Sequence, residues 1–271
     1  MMDGPPRTLA GVRALVTRAG PRAEPLSQLL EAAGAEVLRL PTIEIRDPED
    51  WGPADEAIAA LDAYTLVIFT SANGVERFLE RLARRGRGIE ALAGRAVVAI
   101  GPATAGALRD RGVQVTAVPE ESRAEGALAE ARRLLAPRAG AGPARVLLPR
   151  ALEGREILPE GLRAAGVRVD VAPVYRTVLP EGGTERARAL LAQGVDLITF
   201  TSSSTVRNFV QLVGEEDLAL RVGAAAIGCI GPVTAATARG AGLRVDLQPA
   251  ETTLVALVRA AEEYFGRRTG A

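Results

Sequence analysis

Two short turns, Phe69-Thr70-Ser71 and Phe200-Thr201-Ser202, have the residue types to receive a small anion. Each follows an apolar run and leads into a helical one, through Thr70-Ser71-Ala72-Asn73-Gly74 and Thr201-Ser202-Ser203-Ser204-Thr205. Ser, Thr and Asn cap helices, because their side-chain oxygens accept from backbone N–H groups that the first turn leaves unpaired. Capping alone would account for any one of them. A helix start also carries free N–H donors and a partial positive charge, and small hydroxyl side chains let a ligand come close. Gly101-Pro102 and Gly231-Pro232 open two more helices, with Pro suited to a first turn, and Thr104 and Thr234 follow them. Four such starts would make an anion-receiving surface from neutral residues. Neither glycine pair has the spacing of a dinucleotide fingerprint, so NAD is not expected.

Arg18 and Arg150 stand at equivalent strand ends, where a guanidinium could fork onto a carboxylate or simply be solvated. Tyr175 is one of three tyrosines and follows Pro173. It reads either as a packing residue or as a positioned proton donor. The second reading gains weight from what is missing. There is no histidine, and all 33 basic side chains are arginine. Schiff-base chemistry, a P-loop lysine, histidine triads and histidine-ligated metals are therefore excluded. With Cys229 the sole cysteine, thiolate metal sites and internal disulfides are excluded too. Acid–base work falls to Asp, Glu, Tyr, water or the substrate, and no cofactor or metal is expected.

The elements that must hold these residues come in two copies. Leu15-Val16-Thr17-Arg18 matches Leu147-Leu148-Pro149-Arg150, and Ala32-Ala33-Gly34 matches Ala164-Ala165-Gly166. The two Phe-Thr-Ser turns follow, then Ile100-Gly101-Pro102 with Thr104-Ala105 against Ile230-Gly231-Pro232 with Thr234-Ala235. Pro119 and Pro249 close the pattern, at a nearly constant separation of about 130 residues. Apolar runs at Ala14–Thr17, Leu66–Thr70, Ala96–Ile100, Arg145–Pro149, Asp196–Thr201 and Ala225–Ile230 suit strands buried on both faces. Between them lie helical spacings such as Val75, Phe78, Leu79 and Leu82. Each copy reads as strand, helix, strand, then three alternations of strand and helix. Alternation of this kind implies α/β architecture with open parallel sheets and helices on both sides, and ligands bind beyond the strand carboxyl ends.

The 271 residues are enough for one large domain or two ordinary ones, and 48% hydrophobic with 24% charged residues is a globular profile. Basic and acidic residues balance at 33 each, which gives no sign of a nucleic-acid binder. No basic segment precedes an apolar run as in a signal peptide, and no run has the length of a membrane span. A single cysteine fits a reducing cytoplasm. The acidic residues at Asp47–Asp50 and Glu120–Glu121 lie in connecting loops and read mostly as solvated surface.

Taken together, the turns at 69–71 and 200–202, Pro173-Val174-Tyr175-Arg176-Thr177, and Ile230-Gly231-Pro232-Val233-Thr234-Ala235 resemble the uroporphyrinogen-III synthase family, from about Gly11 to Phe265. The resemblance implies two flavodoxin-like, doubly wound parallel-sheet domains joined by a two-stranded connector. One domain would hold residues 8–40 and 179–268, the other 46–172, with connector strands at 41–45 and 173–178. Two thin connectors would permit a hinge. The implied reaction is a lyase step: hydroxymethylbilane loses water, closes, and has its last pyrrole ring inverted, in an inter-domain cleft and without cofactor. The substrate's eight carboxylates suit a cleft lined with helix starts. Tyr175 matches a family tyrosine proposed to help the hydroxyl leave, and Thr104, Ser202 and Thr234 match cleft positions. The second copy departs from many members at Thr201-Ser202-Ser203-Ser204, where glycine or proline is common nearby. Hydroxymethylbilane is the expected partner of a monomeric chain, with transient contact to the preceding pathway enzyme as an option and no nucleic acid or membrane. The competing readings are a two-lobed sensor of an anion without catalysis, and a phosphosugar enzyme. The second of these would want a lysine, a histidine or an acidic metal cluster at the strand ends.

Overall fold

The structure is a computed structural model that describes residues 8–121, 123–135, 144–216 and 218–269. The chain divides into two compact units, one made of residues 1–44 and 178–271, the other of Ile45–Thr177. In chain order the elements are β1 (Arg13–Val16), α1 (Glu24–Ala32), β2 (Glu36–Arg39), β3 (Glu44–Arg46), α2 (Gly52–Ala59), β4 (Leu66–Phe69), α3 (Ala72–Arg84), β5 (Ala96–Ala99), α4 (Pro102–Asp110), α5 (Ala124–Leu134) and β6 (Arg145–Ala151). Then come α6 (Ile157–Ala164), β7 (Arg168–Val178), α7 (Gly183–Ala192), β8 (Leu197–Phe200), α8 (Ser203–Val213), α9 (Leu218–Val222), β9 (Ala226–Cys229), α10 (Pro232–Gly240) and α11 (Leu254–Thr269).

In the discontinuous unit the strand order is β2-β1-β8-β9, and every pairing is parallel. Successive side chains of β1 face opposite ways, as the pleat requires. Ala14 and Val16 pack with Leu26 and Leu30 of α1 and Leu257 of α11, whereas Leu15 packs with Phe209 of α8 and Ala235 of α10. Both faces are thus dry, which is why the strands read as unbroken apolar runs. Three buried threonines close the strand ends. Thr17 Oγ1 donates to Thr199 O at 2.7 Å, Thr199 Oγ1 to Leu15 O at 3.1 Å, and Thr42 Oγ1 to Thr17 O at 3.1 Å.

The continuous unit has the order β3-β7-β6-β4-β5, with β7, β6, β4 and β5 running parallel. Val67, Phe69 and Leu147 face α2, α3 and α4, and Leu66, Ile68 and Val146 face α5 and α6. The helix spacing read from the sequence is observed: Val75, Phe78, Leu79 and Leu82 are the buried face of α3.

The duplication is visible at the level of contacts. Phe69 meets Phe78 edge-on at 5.6 Å, and Phe200 meets Phe209 edge-on at 5.3 Å. The anticipated strand after α4, and its counterpart after α10, shrink to isolated bridges, Val98 with Ala117 and Gly228 with Leu247. Pro119 and Pro249 follow within two residues and cannot donate to a longer ladder. Helices α2 and α7, ahead of β4 and β8, are additions to the expected order. The acidic residues Asp47, Glu49, Asp50, Glu120 and Glu121 are exposed, as expected, although Asp47 lies 3.5 Å from Arg77 and Glu49 accepts from Arg176 at 2.5 Å. No helix among the described residues is long and apolar enough to cross a membrane.

Candidate active site

The carboxyl end of β4 runs through Thr70 to Ser71, which has extended backbone and caps α3. Ser71 Oγ accepts from Gly74 N–H at 3.0 Å. Gly74 has to be small: a Cβ there would sit 3.2 Å from both Pro149 O and Ser71 Oγ, so its absence lets the first turn of α3 press against β6. Ala72 and Asn73 lie in that turn and do not line the cavity described below.

Strand β7 brings Tyr175 to the same place. Its pairing with β6 slips between Arg150 and Ala151, so that Arg150 opposes Pro173 and Ala151 opposes Tyr175. Proline has no N–H to give a ladder and is tolerated at such an irregularity. Tyr175 is buried, and its hydroxyl lies 2.9 Å from Ser71 Oγ. The chain leaving β6 stays close, since Leu152 N–H donates to Tyr175 O at 2.8 Å.

Tyr175, Ser71 and Thr70 open on a cavity of about 580 Å³ within the continuous unit. Its other walls include Ile100, Arg150, Gly154, Arg155 and Ile157, with Arg123 and Glu125 at the start of α5. With the charge of Arg150 met by Glu156, Arg123 and Arg155 against Glu125 leave it a positive, partly apolar recess, suited to an anionic ligand. Arg123 and Arg155 are exposed and make no side-chain ion pair or hydrogen bond among the described residues. Arg150, which the sequence offered as a carboxylate fork, is 6% exposed and already engaged, by Arg155 O at 2.6 Å and by the Glu156 carboxylate. Gly101 caps α4 with extended backbone, and Thr104, in the first turn of that helix, is buried; neither lines the cavity.

The remaining sequence candidates belong to the discontinuous unit. Arg18 follows β1 and has an interaction partner within the chain. Thr201 precedes Ser202, which caps α8 in a reciprocal box: its Oγ accepts from Thr205 N–H, and Thr205 Oγ1 accepts from Ser202 N–H, both at 3.3 Å. Ser203 accepts from Thr237 Oγ1 at 2.7 Å and donates to Val233 O at 3.4 Å, which ties α8 to α10. These serines are therefore structural caps in the first instance. Gly231 caps α10, and a Cβ there would meet Thr252 Oγ1 at 2.8 Å. Thr234 is buried one turn into α10, as Thr104 is in α4.

So the structure joins Ser71, Arg150 and Tyr175 in one recess and adds Arg123, Arg155 and Ile157, which sequence reasoning missed. A signal for the last two was present: Arg155-Glu156 stands directly before an apolar helix face, at the mouth of the strand that Arg150 ends.

The family profile described as Uroporphyrinogen-III synthase HemD matches residues 24–259. The chain belongs to the uroporphyrinogen-III synthase family. A uroporphyrinogen-III synthase of Synechococcus elongatus is 36% identical over 96% of this chain and 98% of its own. One from Chlorobaculum parvum is 30% identical over 87% of this chain and 92% of its own. Among solved structures, a mutant uroporphyrinogen III synthase from Thermus thermophilus covers 96% of this chain and 100% of that one at 21% identity, with a TM-score of 0.64. A Helicobacter pylori uroporphyrinogen-III synthetase covers 93% and 99% at 20% identity, with a TM-score of 0.61. At that identity the two structures speak to the fold, a mixed α/β fold with parallel sheets. The family match takes in residues of both units.

Proposed function

We propose that this chain converts hydroxymethylbilane to uroporphyrinogen III, as a carbon–oxygen lyase that also inverts the last pyrrole ring. The observation that carries the reading is the buried Tyr175, its hydroxyl 2.9 Å from Ser71 Oγ, on a recess also lined by Arg123 and Arg155, whose side chains make no ion pair or hydrogen bond among the described residues. Tyr175 gives a proton to the terminal hydroxyl as its carbon–oxygen bond breaks, and water leaves. The azafulvene cation that remains is attacked by the last ring at its substituted carbon, and the spiro intermediate fragments and recloses at the free carbon. The proton lost as that ring regains aromaticity restores the phenol. Ser71 holds the phenol hydroxyl in place. Most of the reactivity belongs to the electron-rich pyrroles, and the protein's task is to hold the ring ends so that inversion outruns direct closure.

Arg123 and Arg155 are assigned to substrate carboxylates, and Ile157, 48% exposed on the same recess, to a pyrrole face. We infer that both units are flavodoxin-like. In support, β2-β1-β8-β9 followed by the bridge at Leu247 reproduces the 2-1-3-4-5 order of that architecture. On this reading residues 41–45 and 173–178 are the connector strands, and the working chain is a monomer in the cytoplasm. The deciding experiment supplies freshly made hydroxymethylbilane and separates the isomers formed. Type III product supports the proposal; type I alone, at the spontaneous rate, refutes it.

A further inference from the structure

Arg150 has the wrong surroundings for a residue that grips substrate. Nη1 donates to Arg155 O at 2.6 Å, Nη2 donates to the Glu156 carboxylate, and Nε is buried with no acceptor. With 8% of its side chain exposed, it leaves little surface for the paired contact a carboxylate wants. What surrounds it is the loop that follows β6. A Cβ on Gly154 would lie 2.8 Å from both Arg150 Cδ and Nη1, closer than packed atoms come, so glycine there is what lets the loop close over the guanidinium. The loop's start is tied to β7 by Leu152 N–H, which donates to Tyr175 O at 2.8 Å, and its end is Glu156, the N-cap position of α6. Arg155 sits inside this clasp. Its carbonyl is held by Arg150, while the residue is exposed, its side chain makes no ion pair or hydrogen bond among the described residues, and it lines the recess.

We propose that Arg150 is a positioning residue, which acts on the substrate through Arg155, and that Gly154 and Glu156 are parts of the same device. The proposal rests on the reading of the recess as the substrate site. An internal guanidinium takes the loop's carbonyl and carboxylate as its ligands, and the neighbouring guanidinium is thereby aimed outward with little freedom left to lose on binding. A direct binder would instead need its N–H groups free.

The test is a double-mutant cycle in the full chain, with kcat and KM for hydroxymethylbilane measured on Arg150→Gln, Arg155→Ala and the pair. Loss of one charge-assisted contact raises KM on the order of 10-fold. Action through Arg155 makes Arg150→Gln raise KM about as much as Arg155→Ala, with kcat nearly unchanged, and the pair no worse than Arg155→Ala alone. Losses that multiply in the pair, or a wild-type KM in Arg150→Gln, overturn the proposal. Gly154→Ala and Glu156→Gln carry the same test if Arg150→Gln does not fold. Each is expected to raise KM in the native background and to add nothing to Arg155→Ala, and additivity there is equally fatal. A native chain that makes only the type I isomer refutes the functional reading, and this proposal with it. Type III product from the native chain with an additive cycle refutes the proposal alone.

Discussion

The Tyr175 hydroxyl and Ser71 Oγ, 2.9 Å apart, join the strand β7 to the cap of α3. Since Ser71 Oγ also accepts from Gly74 N–H, the one serine closes a helix and orients a phenol. Tyr175→Phe keeps the ring and removes the proton. It is expected to lower kcat for type III product by on the order of 100-fold, the low end of what a positioned acid supplies. The thermal midpoint should move little, because the hydrogen bond lost is worth only about 1 kcal/mol. Steady-state rates beside a melting curve check both. Ser71→Ala should instead cost about 1 kcal/mol of stability through the lost cap, with a smaller fall in rate.

Asp55 on α2 receives Arg81 on α3 as a fork, at 2.7 and 2.6 Å, and the same guanidinium lies 4.6 Å from the centre of the Trp51 ring. The hydrogen bond from Arg81 holds the Asp55 carboxyl below its ordinary value. Its stabilisation is therefore complete above the unfolded carboxylate pKa of about 4 and is lost as the pH falls through the lower native one. Asp55→Asn is expected to destabilise by roughly 1 kcal/mol at neutral pH, and by nothing in strong acid. Trp51 is the sole tryptophan, so denaturant titrations followed by its emission at several pH values read this directly.

At the opposite end of β6 from the recess, Tyr64 OH donates to Asp170 at 2.8 Å, Arg145 Nε donates to the same oxygen at 2.5 Å, and the Arg145 guanidinium lies 4.5 Å from the centre of the Tyr64 ring. Burial, followed by the bond to Asp170, pushes the Tyr64 hydroxyl well above the usual phenol range, so it stays a donor at any working pH. Tyr64→Phe should cost on the order of 1–2 kcal/mol by removing one of the carboxylate's two donors. It should leave kcat and KM unchanged, since five residues of strand, about 17 Å, separate Arg145 from Arg150. A variant that melts early yet turns over normally is the expected result.

Cys229 is fully buried at the end of β9, and burial pushes its thiol up to about 11. Near pH 8 only about one molecule in a thousand then carries the reactive thiolate, on top of the steric barrier. Native protein should resist a thiol reagent for hours and react at once in denaturant. A fast native reaction would show that β9 opens.

The strands were legible to within a residue or two at most ends, because buried parallel strands are short apolar runs with turns at known places. The duplicated Phe69 and Phe200 carried the core contacts as well, each with a second phenylalanine nine positions on. Strand β7 was harder to see whole: Asp170 and Pro173 interrupt its pattern, and only the slip in pairing at Arg150 explains why Pro173 fits. The recess was half legible. Tyr175 stood out by its rarity, but an arginine among 33 does not announce whether it faces inward. That depends on Gly154 and Glu156, whose effect on Arg150 exists only once the loop has closed.

The discontinuous unit has a consequence for the chain as it is made. β1 pairs with β8, yet about 180 residues separate the two strands, and a ribosome adding 5–20 residues per second needs on the order of ten seconds or more to cover them. In that interval the continuous unit can be completed, while β1, with the Leu15 face still without α8 and α10, waits as a half-paired sticky edge. The segment of residues 8–40 is therefore the part of the discontinuous unit most exposed to aggregation during synthesis, and a chaperone that shields it would act where the need is greatest.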